Sequence, residues 1–292
     1  MKKKIALIGS KGQLGSDLLK QIYQDSTFKL FPLDHQDIEI TSRESINKIL
    51  DPINPDIILT TAAYHNVDQA EKNPEKAFLV NALGTKYLAD YCFNKNSCLV
   101  FFSTDYVFGS NSQKISPFDE SDCPAPVNTY GVSKLAGENL IRQTISNYFI
   151  IRTSGLFGAK GTSAKGENFI ERMIRLGKEK KEVNVVDDQI LTPTYTKNLA
   201  ENLVLLLKTD QFGLYHISSK GQCSWFEFAS EIFKLLKMPV KCNKVDSNFF
   251  KNTAKRPNYC VLENKNLKKI KLNKMRHWKD NLKLYLKEKN YL

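Results

Sequence analysis

The feature that most constrains the fold is an alternation of short apolar runs with amphipathic stretches in the first half of this 292-residue chain. The apolar runs are nearly continuous, which is typical of parallel strands buried on both faces. The amphipathic stretches repeat their apolar residues with the period of a helix. This order predicts an α/β fold, a Rossmann-like doubly wound parallel sheet. The predicted strands lie at 3–9, 28–34, 55–64, 98–109 and 148–158.

A glycine-rich turn follows the first predicted strand and opens the first predicted helix. Gly9, Gly12 and Gly15 form a GxxGxxG pattern. Glycines in this context let the backbone approach a pyrophosphate, while the helix N-terminus supplies N–H donors. The pattern therefore predicts a dinucleotide site, with Gln13 and Leu14 among its contacts. The alternative is a glycine turn without a ligand.

Asp34 ends the second predicted strand, about twenty residues after the glycine turn. A carboxylate at this position accepts hydrogen bonds from a ribose 2′-OH and favours NAD. Lys11, within the turn, and His35 supply nearby positive charge and predict tolerance of NADP. We therefore expect NADPH or NADH as the cofactor. The alternative for Asp34 is a residue that caps a loop.

The pattern becomes less regular after residue 155. We predict an NAD(P)-binding Rossmann domain over 1–155, with a returning segment near 183–207. Residues 156–292 are predicted to form mainly a smaller C-terminal substrate-binding lobe that closes over the sheet.

A polar stretch follows the fourth predicted strand, and the carboxyl ends of parallel strands form the ligand crevice of such a fold. Ser103 and Thr104 offer hydroxyl donors there, and Asp105 and Tyr106 could contact a polyhydroxylated ligand. The alternative is a loop whose polar side chains satisfy backbone groups.

Tyr130 and Lys134 lie four residues apart on the next predicted helix, so they share a face. An ammonium beside a phenol stabilises the phenolate, which predicts a lowered Tyr130 pKa and a usable general acid. Gly131 and Gly137, poor helix formers, predict a close approach of this helix to cofactor and neighbouring backbone. The alternative is an ordinary surface pair.

Composition excludes several classes of protein. The net charge is +12, and residues 255–292 carry twelve Lys and Arg against three acidic residues. These lysines alternate with apolar residues at helical spacing, without a nucleic-acid motif, so no nucleic-acid partner is predicted. No run of about 18 apolar residues occurs, and no membrane span is expected.

The cysteines and histidines show no metal-binding spacing. Six cysteines occur without a CxxC pair, which favours a reducing compartment and predicts a cytoplasmic protein. Four scattered histidines form no HxxxH pattern, and no metal site is predicted.

Taken together, these motifs resemble the extended short-chain dehydrogenase/reductase superfamily. Within it, the resemblance is closest to the dTDP-4-dehydrorhamnose reductase family and spans residues 9 to about 262. It rests on GQLG, AAYHNVDQAEKNPEKAFLVNALGTKYLA, STDYVFG, YGVSKLAGE, IIRTSGLFG, VVDDQILTPTYTKNLA and KRPNYCVL.

The resemblance implies NAD(P)H-dependent reduction of the C4 keto group of a nucleotide-linked 4-keto-6-deoxy sugar, foremost dTDP-4-dehydro-L-rhamnose to dTDP-L-rhamnose. It implies that Tyr130 donates the proton, that Lys134 lowers the Tyr130 pKa and binds the nicotinamide ribose, and that Thr104 polarises the carbonyl. The other implied cofactor residues are Ala62, Ala63, Tyr64, Asn81 and Ser103. The other implied substrate residues are Val67, Asp105, Tyr106 and, for the diphosphate, Arg256.

Three positions depart from the family pattern near the sugar pocket. Gly155 replaces a Trp, His65 a Thr and Cys260 a Ser. These departures leave the sugar and the nucleotide open. Some family members bind a metal at a dimer contact; Asp17 alone does not support a Mg²⁺ site, and a homodimer is left open.

Two other readings remain open. A nucleotide-sugar epimerase of the same superfamily would hold NAD permanently, whereas a dehydratase would carry Asp-Glu where this chain has Asp105-Tyr106. A non-catalytic NADP-binding regulatory subunit is the third class, and retention of Thr104, Tyr130 and Lys134 speaks against it.

Overall fold

A six-stranded parallel sheet forms the centre of the protein, in the order β10-β5-β4-β3-β1-β2. The computed structural model describes residues 2–110, 114–161, 166–250 and 253–292. The predicted α/β fold with a doubly wound parallel sheet is confirmed. The strands are β1 (Lys3–Ile8), β2 (Phe28–Leu33), β3 (Ile57–Thr60), β4 (Cys98–Thr104), β5 (Tyr148–Thr153), β6 (Leu156–Phe157), β7 (Glu182–Val186), β8 (Ile190–Leu191), β9 (Thr194–Tyr195), β10 (Gly213–His216), β11 (Cys223–Ser224) and β12 (Lys241–Val245).

Helices cover both faces of the sheet. One core cluster joins β1 to α1 and α8, through Leu7, Leu18 and Leu203. The opposite cluster joins β1 to α5 and α6, for example through Leu88 and Ile141. The helices are α1 (Gln13–Tyr23), α2 (Arg43–Leu50), α3 (Val67–Lys72), α4 (Pro74–Phe78), α5 (Thr85–Lys95), α6 (Thr129–Thr144), α7 (Phe169–Glu179), α8 (Thr196–Leu207), α9 (Trp225–Leu235), α10 (Lys265–Lys269) and α11 (Trp278–Glu288).

Within the predicted returning segment near 183–207, β7 and α8 contact different parts of the protein. Strand β7 pairs with β12 outside the central sheet, whereas α8 packs on α1 and β10 pairs with β5. Burial explains the difference, because β7 alternates exposed and buried residues while β4 is buried throughout. A half-exposed strand suits the edge of a small sheet, not the covered centre.

The C-terminal part has a core of its own, rich in aromatic rings. Phe157 packs near Phe228 and Tyr285, with ring centroids 5.7 and 5.5 Å apart. Three two-stranded pairs, β6–β9, β7–β12 and β8–β11, border this core. These contacts build a second packed unit beside the carboxyl edge of the sheet.

A π-helical segment, Leu79–Gly84, joins α4 to α5. Such bulges often mark functional sites. Asn81 lies within it and is almost fully buried. The bulge therefore sets the direction of a polar side chain that faces the candidate site.

Candidate active site

The glycine turn after β1 is packed too tightly for side chains. Gly9 has φ +86°, and a Cβ there would lie 2.4 Å from Thr61 Oγ1. A Cβ on Gly15 would lie 2.1 Å from the Gly9 carbonyl oxygen. The sequence motif therefore corresponds to a turn that requires glycine at both of these positions.

The N-terminus of α1 fits an anionic group. Gly12 is its N-cap, and no side chain caps the helix. Leu14 packs its side chain into the core, so any ligand contact from it would come through its backbone N–H. The Gln13 Oε1 is buried without a hydrogen-bond partner among the described residues. The uncapped N–H groups suit a pyrophosphate, whereas the Gln13 oxygen, which only accepts hydrogen bonds, suits a neighbouring hydroxyl group.

Asp34 directly follows β2 beside the turn and forms an ion pair with Lys11. Its Oδ1 also accepts a hydrogen bond from the Gln36 N–H at 2.8 Å. The Lys11 contact and this N–H hold the pKa of Asp34 below its usual range. The Asp34 carboxylate and the exposed Lys11 ammonium therefore lie side by side, at the position where such a fold binds the adenosine ribose of a dinucleotide.

Asn81 supports the loop after β3, as the resemblance implies. Its Oδ1 accepts from the Tyr64 N–H at 2.8 Å, and its Nδ2 donates to the Tyr64 carbonyl at 3.1 Å. The same amide donates to Ser133 Oγ at 3.0 Å. Asn81 therefore ties the loop that contains Ala62 and Ala63 to α6.

Thr104 and Tyr130 lie near each other at the carboxyl end of β4, close enough for the Thr104 hydroxyl to lower the pKa of the Tyr130 phenol. Thr104 Oγ1 also accepts from the Tyr106 N–H at 3.1 Å and donates to Asp105 Oδ1 at 3.0 Å. The rings of Tyr106 and Tyr130 pack edge to face, with centroids 6.1 Å apart. The structure thus brings together four residues that the sequence placed in one site.

Asp105 lies beneath this group and is 3% exposed. Its Oδ2 accepts from Ser154 Oγ at 2.7 Å and from Cys260 Sγ at 3.0 Å. Burial raises the pKa of this carboxyl above its usual range. Asp105 therefore links Ser154 and Cys260 to the group around Thr104 and Tyr130. Cys260, which stands where the family pattern has a serine, donates to the Asp105 carboxylate.

The predicted lowering of the Tyr130 pKa is wrong. Burial and the charge of Asp105 raise the pKa of this phenol, and only the nearby Thr104 hydroxyl opposes them. Lys134 is 2% exposed, and its Nζ lies 3.8 Å from the centroid of the Phe101 ring. Burial lowers the pKa of Lys134 to about 7, although Glu138 raises it. A lysine in such apolar surroundings holds its charge weakly near neutral pH.

Ser103, expected to contact a cofactor, instead donates from Oγ to Glu138 Oε1 at 2.5 Å. The Glu138 carboxylate also accepts from Arg152, and all three side chains are buried. No role was predicted for Glu138 or Arg152 from the sequence. The signal for Glu138 was present, because it lies one helical turn after Lys134 in the same motif.

Two glycines bring α6 against its neighbours. A Cβ on Gly131 would lie 2.2 Å from the Tyr106 carbonyl oxygen, and one on Gly137 would lie 2.4 Å from that of Asn81. The predicted close approach of this helix to neighbouring backbone is confirmed. Tyr130 is held at the carboxyl end of β4 by this packing.

Arg256, predicted to contact the substrate, pairs through its guanidinium with Asp68 at 2.7 Å. Val67 begins α3 next to this pair, and His65 is exposed, with Nδ1 3.3 Å from the Ala63 carbonyl. Gly155 has φ +52°, and a Cβ there would lie 2.8 Å from Leu191 Cδ1. The backbone at this departure therefore disfavours any side chain.

Across the described ranges, no group of three or more His, Cys, Asp or Glu side chains is arranged to hold a metal ion. The carboxylate of Asp17 accepts from Thr196 Oγ1 at 2.5 Å. Within those same ranges, no helix has the length and apolar character needed to cross a membrane.

Comparison with known proteins places the chain among sugar-modifying enzymes. The family model described as the RmlD substrate binding domain matches residues 3–291. The spore coat polysaccharide biosynthesis protein SpsK of Bacillus subtilis is 37% identical over 98% of both chains. A dTDP-4-dehydrorhamnose reductase of Aggregatibacter actinomycetemcomitans is 34% identical, over 88% of this chain and 90% of its own. The crystal structure of a Bacillus anthracis dTDP-4-dehydrorhamnose reductase in complex with NADP has a TM-score of 0.92 and 38% identity, over 99% of this chain and 100% of the other.

Proposed function

The chain belongs to the RmlD substrate binding domain family, and on that premise we propose that it is an NAD(P)H-dependent oxidoreductase. The reaction is reduction of the C4 keto group of a nucleotide-linked 4-keto-6-deoxy sugar. Relatives named dTDP-4-dehydrorhamnose reductase favour dTDP-4-dehydro-L-rhamnose as substrate and dTDP-L-rhamnose as product.

The contact between Thr104 and Tyr130 is the observation that carries this proposal. The hydroxyl groups of Thr104 and Tyr130 lie near each other at the carboxyl end of β4, which is the edge of the sheet where the glycine turn after β1 also lies. A carbonyl oxygen that accepts from either hydroxyl gains a donor where negative charge develops during reduction.

Tyr130 serves as the proton donor in this proposal. Its raised pKa keeps the phenol protonated at neutral pH, so the proton is in place before the reaction. When bound, the nicotinamide supplies a hydride to C4. Tyr130 Oη donates its proton to the C4 oxygen. The Oη–H bond of Tyr130 breaks as the new O–H bond on the sugar forms. Thr104 orients that oxygen, and Lys134, one helical turn further along α6, would bind the nicotinamide ribose, as the resemblance implies.

Residues of the glycine turn would hold the cofactor. Backbone N–H groups of Gln13, Leu14 and Gly15 face the N-terminal end of α1 and suit the pyrophosphate. The Asp34 carboxylate suits a ribose 2′-OH, whereas the Lys11 ammonium suits a 2′-phosphate. This combination supports use of both NADH and NADPH.

We further propose that the protein works in the cytoplasm. All six cysteines are free thiols, and four of them are buried. Free thiols persist in a reducing compartment.

An assay of NADPH and NADH oxidation across dTDP-, UDP- and GDP-linked 4-keto-6-deoxy sugars tests the proposal. We expect oxidation only with a keto sugar, fastest with dTDP-4-dehydro-L-rhamnose. Tyr130→Phe should lower kcat by about 10²–10⁴-fold, because general acid catalysis is worth that much. Tyr23→Phe, on an exposed ring of α1, is the matched control and should leave kcat unchanged.

Two outcomes would count against these assignments. Near wild-type turnover by Tyr130→Phe would remove Tyr130 from the role of proton donor. Binding of NADPH without turnover of any keto sugar would favour the non-catalytic subunit.

A further inference from the structure

Helix α3 presents two acidic side chains on one face. It spans only six residues, Val67–Lys72, and Asn66 caps it by accepting from the Gln69 N–H at 3.2 Å. Asp68 and Glu71 lie three positions apart, which places them side by side on a helix. The two carboxylates are engaged with different parts of the protein.

Glu71 holds the first residue of the helix that contains Tyr130. One carboxylate oxygen accepts from the Thr129 N–H at 2.7 Å, and the other accepts from Thr129 Oγ1 at 2.7 Å. Two bonds to one residue fix its orientation as well as its position. Tyr130 follows Thr129 directly, so Glu71 restrains the backbone from which the phenol projects.

Asp68 holds a segment of the C-terminal part of the chain. Its carboxylate pairs with Arg256 Nη2 at 2.7 Å and accepts from the Ala254 N–H at 3.0 Å. Arg256 Nη1 also donates to the Ala254 carbonyl at 3.1 Å. Arg256 is the residue that the proposed function assigns to the substrate diphosphate.

The same two segments also touch each other. Asn128 Nδ2 donates to the Lys255 carbonyl at 2.9 Å, and Asn128 Oδ1 accepts from the Gly131 N–H at 2.8 Å as the N-cap of α6. Helix α3, the segment 254–256 and the start of α6 are therefore linked in a closed ring of polar contacts. A displacement of any one member strains the bonds to the other two.

We propose that Asp68 and Glu71 are positioning residues that couple the segment 254–256 to Tyr130. This inference rests on the proposed function, since it links the proposed diphosphate residue to the proposed proton donor. Binding energy from the nucleotide end of a substrate is thereby used to fix the donor at the sugar end. A misplacement of about 1 Å can cost about 10²-fold in rate, so such restraint matters for catalysis.

Hydrogen–deuterium exchange tests the coupling without any assay of activity. The experiment compares the wild type with Glu71→Gln, Asp68→Asn and a control variant, Glu75→Gln. Glu75 is an exposed residue of α4. Each of the first two variants should speed amide exchange both at 129–135 and at 253–257. Faster exchange confined to 129–135 in Glu71→Gln, and to 253–257 in Asp68→Asn, would overturn the proposal.

Steady-state kinetics provide the second readout. Glu71→Gln and Asp68→Asn should each lower kcat by about tenfold, with the KM for NADPH unchanged. The double variant should lose no more than the worse single variant, because both changes break one linkage. If the kcat losses of the two single variants multiplied in the double variant, Asp68 and Glu71 would act independently, and the proposed coupling would be wrong. If the wild type reduces no keto sugar, the proposed function fails, while the exchange experiment still decides the coupling.

Discussion

Arg152 and Glu138 form a bidentate ion pair that is almost entirely buried between β5 and α6. Arg152 Nε donates to Oε1 at 2.9 Å, and Nη2 donates to Oε2 at 2.7 Å. The same carboxylate accepts from Ser103 and, at 3.0 Å, from Arg142. Glu138 therefore links α6 to β4 and β5. It contacts Ser103 directly and lies one helical turn after Lys134.

Removing the charge of Glu138 should destabilise the protein strongly. Glu138→Gln leaves the Arg152 guanidinium buried without its counter-charge, and breaking such a pair costs about 3–5 kcal/mol. The free energy of unfolding in urea measures the effect. The double variant Glu138→Gln/Arg152→Met should recover part of the loss. Arg175→Met, in an exposed ion pair with Glu167, should cost clearly less.

Lys134 should make stability depend on pH. Burial lowers its pKa to about 7, whereas an unfolded lysine has a pKa of about 10.4. Between these values the unfolded chain binds more protons at this site, so its contribution to stability rises with pH. Lys134→Met should therefore be more stable than wild type, by a margin that is largest below about pH 7 and shrinks toward about pH 10. Unfolding of both proteins across that range measures the margin, and a constant margin would contradict the lowered pKa.

The glycine turn should discriminate between two alanine substitutions. A Cβ on Gly15 would lie 2.1 Å from the Gly9 carbonyl, whereas one on Gly12 would lie 3.3 Å from it. Gly15→Ala should therefore lower the melting temperature and weaken NADPH binding, because the turn must open. Gly12→Ala should have a clearly smaller effect on the melting temperature. Thermal unfolding and titration with NADPH provide the comparison, and equal melting temperatures for the two variants would show that the turn adapts freely.

Lys11 should govern the choice between the two cofactors. It is exposed and pairs with Asp34, whose carboxylate alone would repel a 2′-phosphate. Lys11→Ala should raise the KM for NADPH several-fold and leave the KM for NADH nearly unchanged. Lys20→Ala, on α1 away from the turn, is the control. An equal effect of Lys11→Ala on both cofactors would argue against a role in reading the 2′ position.

Local patterns in the sequence determined the fold class and pointed to the residues of the candidate site. Apolar runs and helical periods depend on near neighbours along the chain, and they predicted the parallel sheet correctly. Glycines at fixed spacing predicted the turn after β1, whose packing at Gly9 and Gly15 the structure explains. Tyr130 was identified by its motif, which is also local.

Tertiary structure alone decided how these residues are held and charged. The Tyr130 pKa is raised, because burial and Asp105 act on the phenol while Lys134 lies against Phe101. Glu71 reaches Thr129 across 58 positions of the chain. Burial and partners that are distant in sequence set the electrostatics of the site, and both arise only when the chain packs. The sequence by itself thus determined which groups meet, and the packed structure decided their protonation and their alignment.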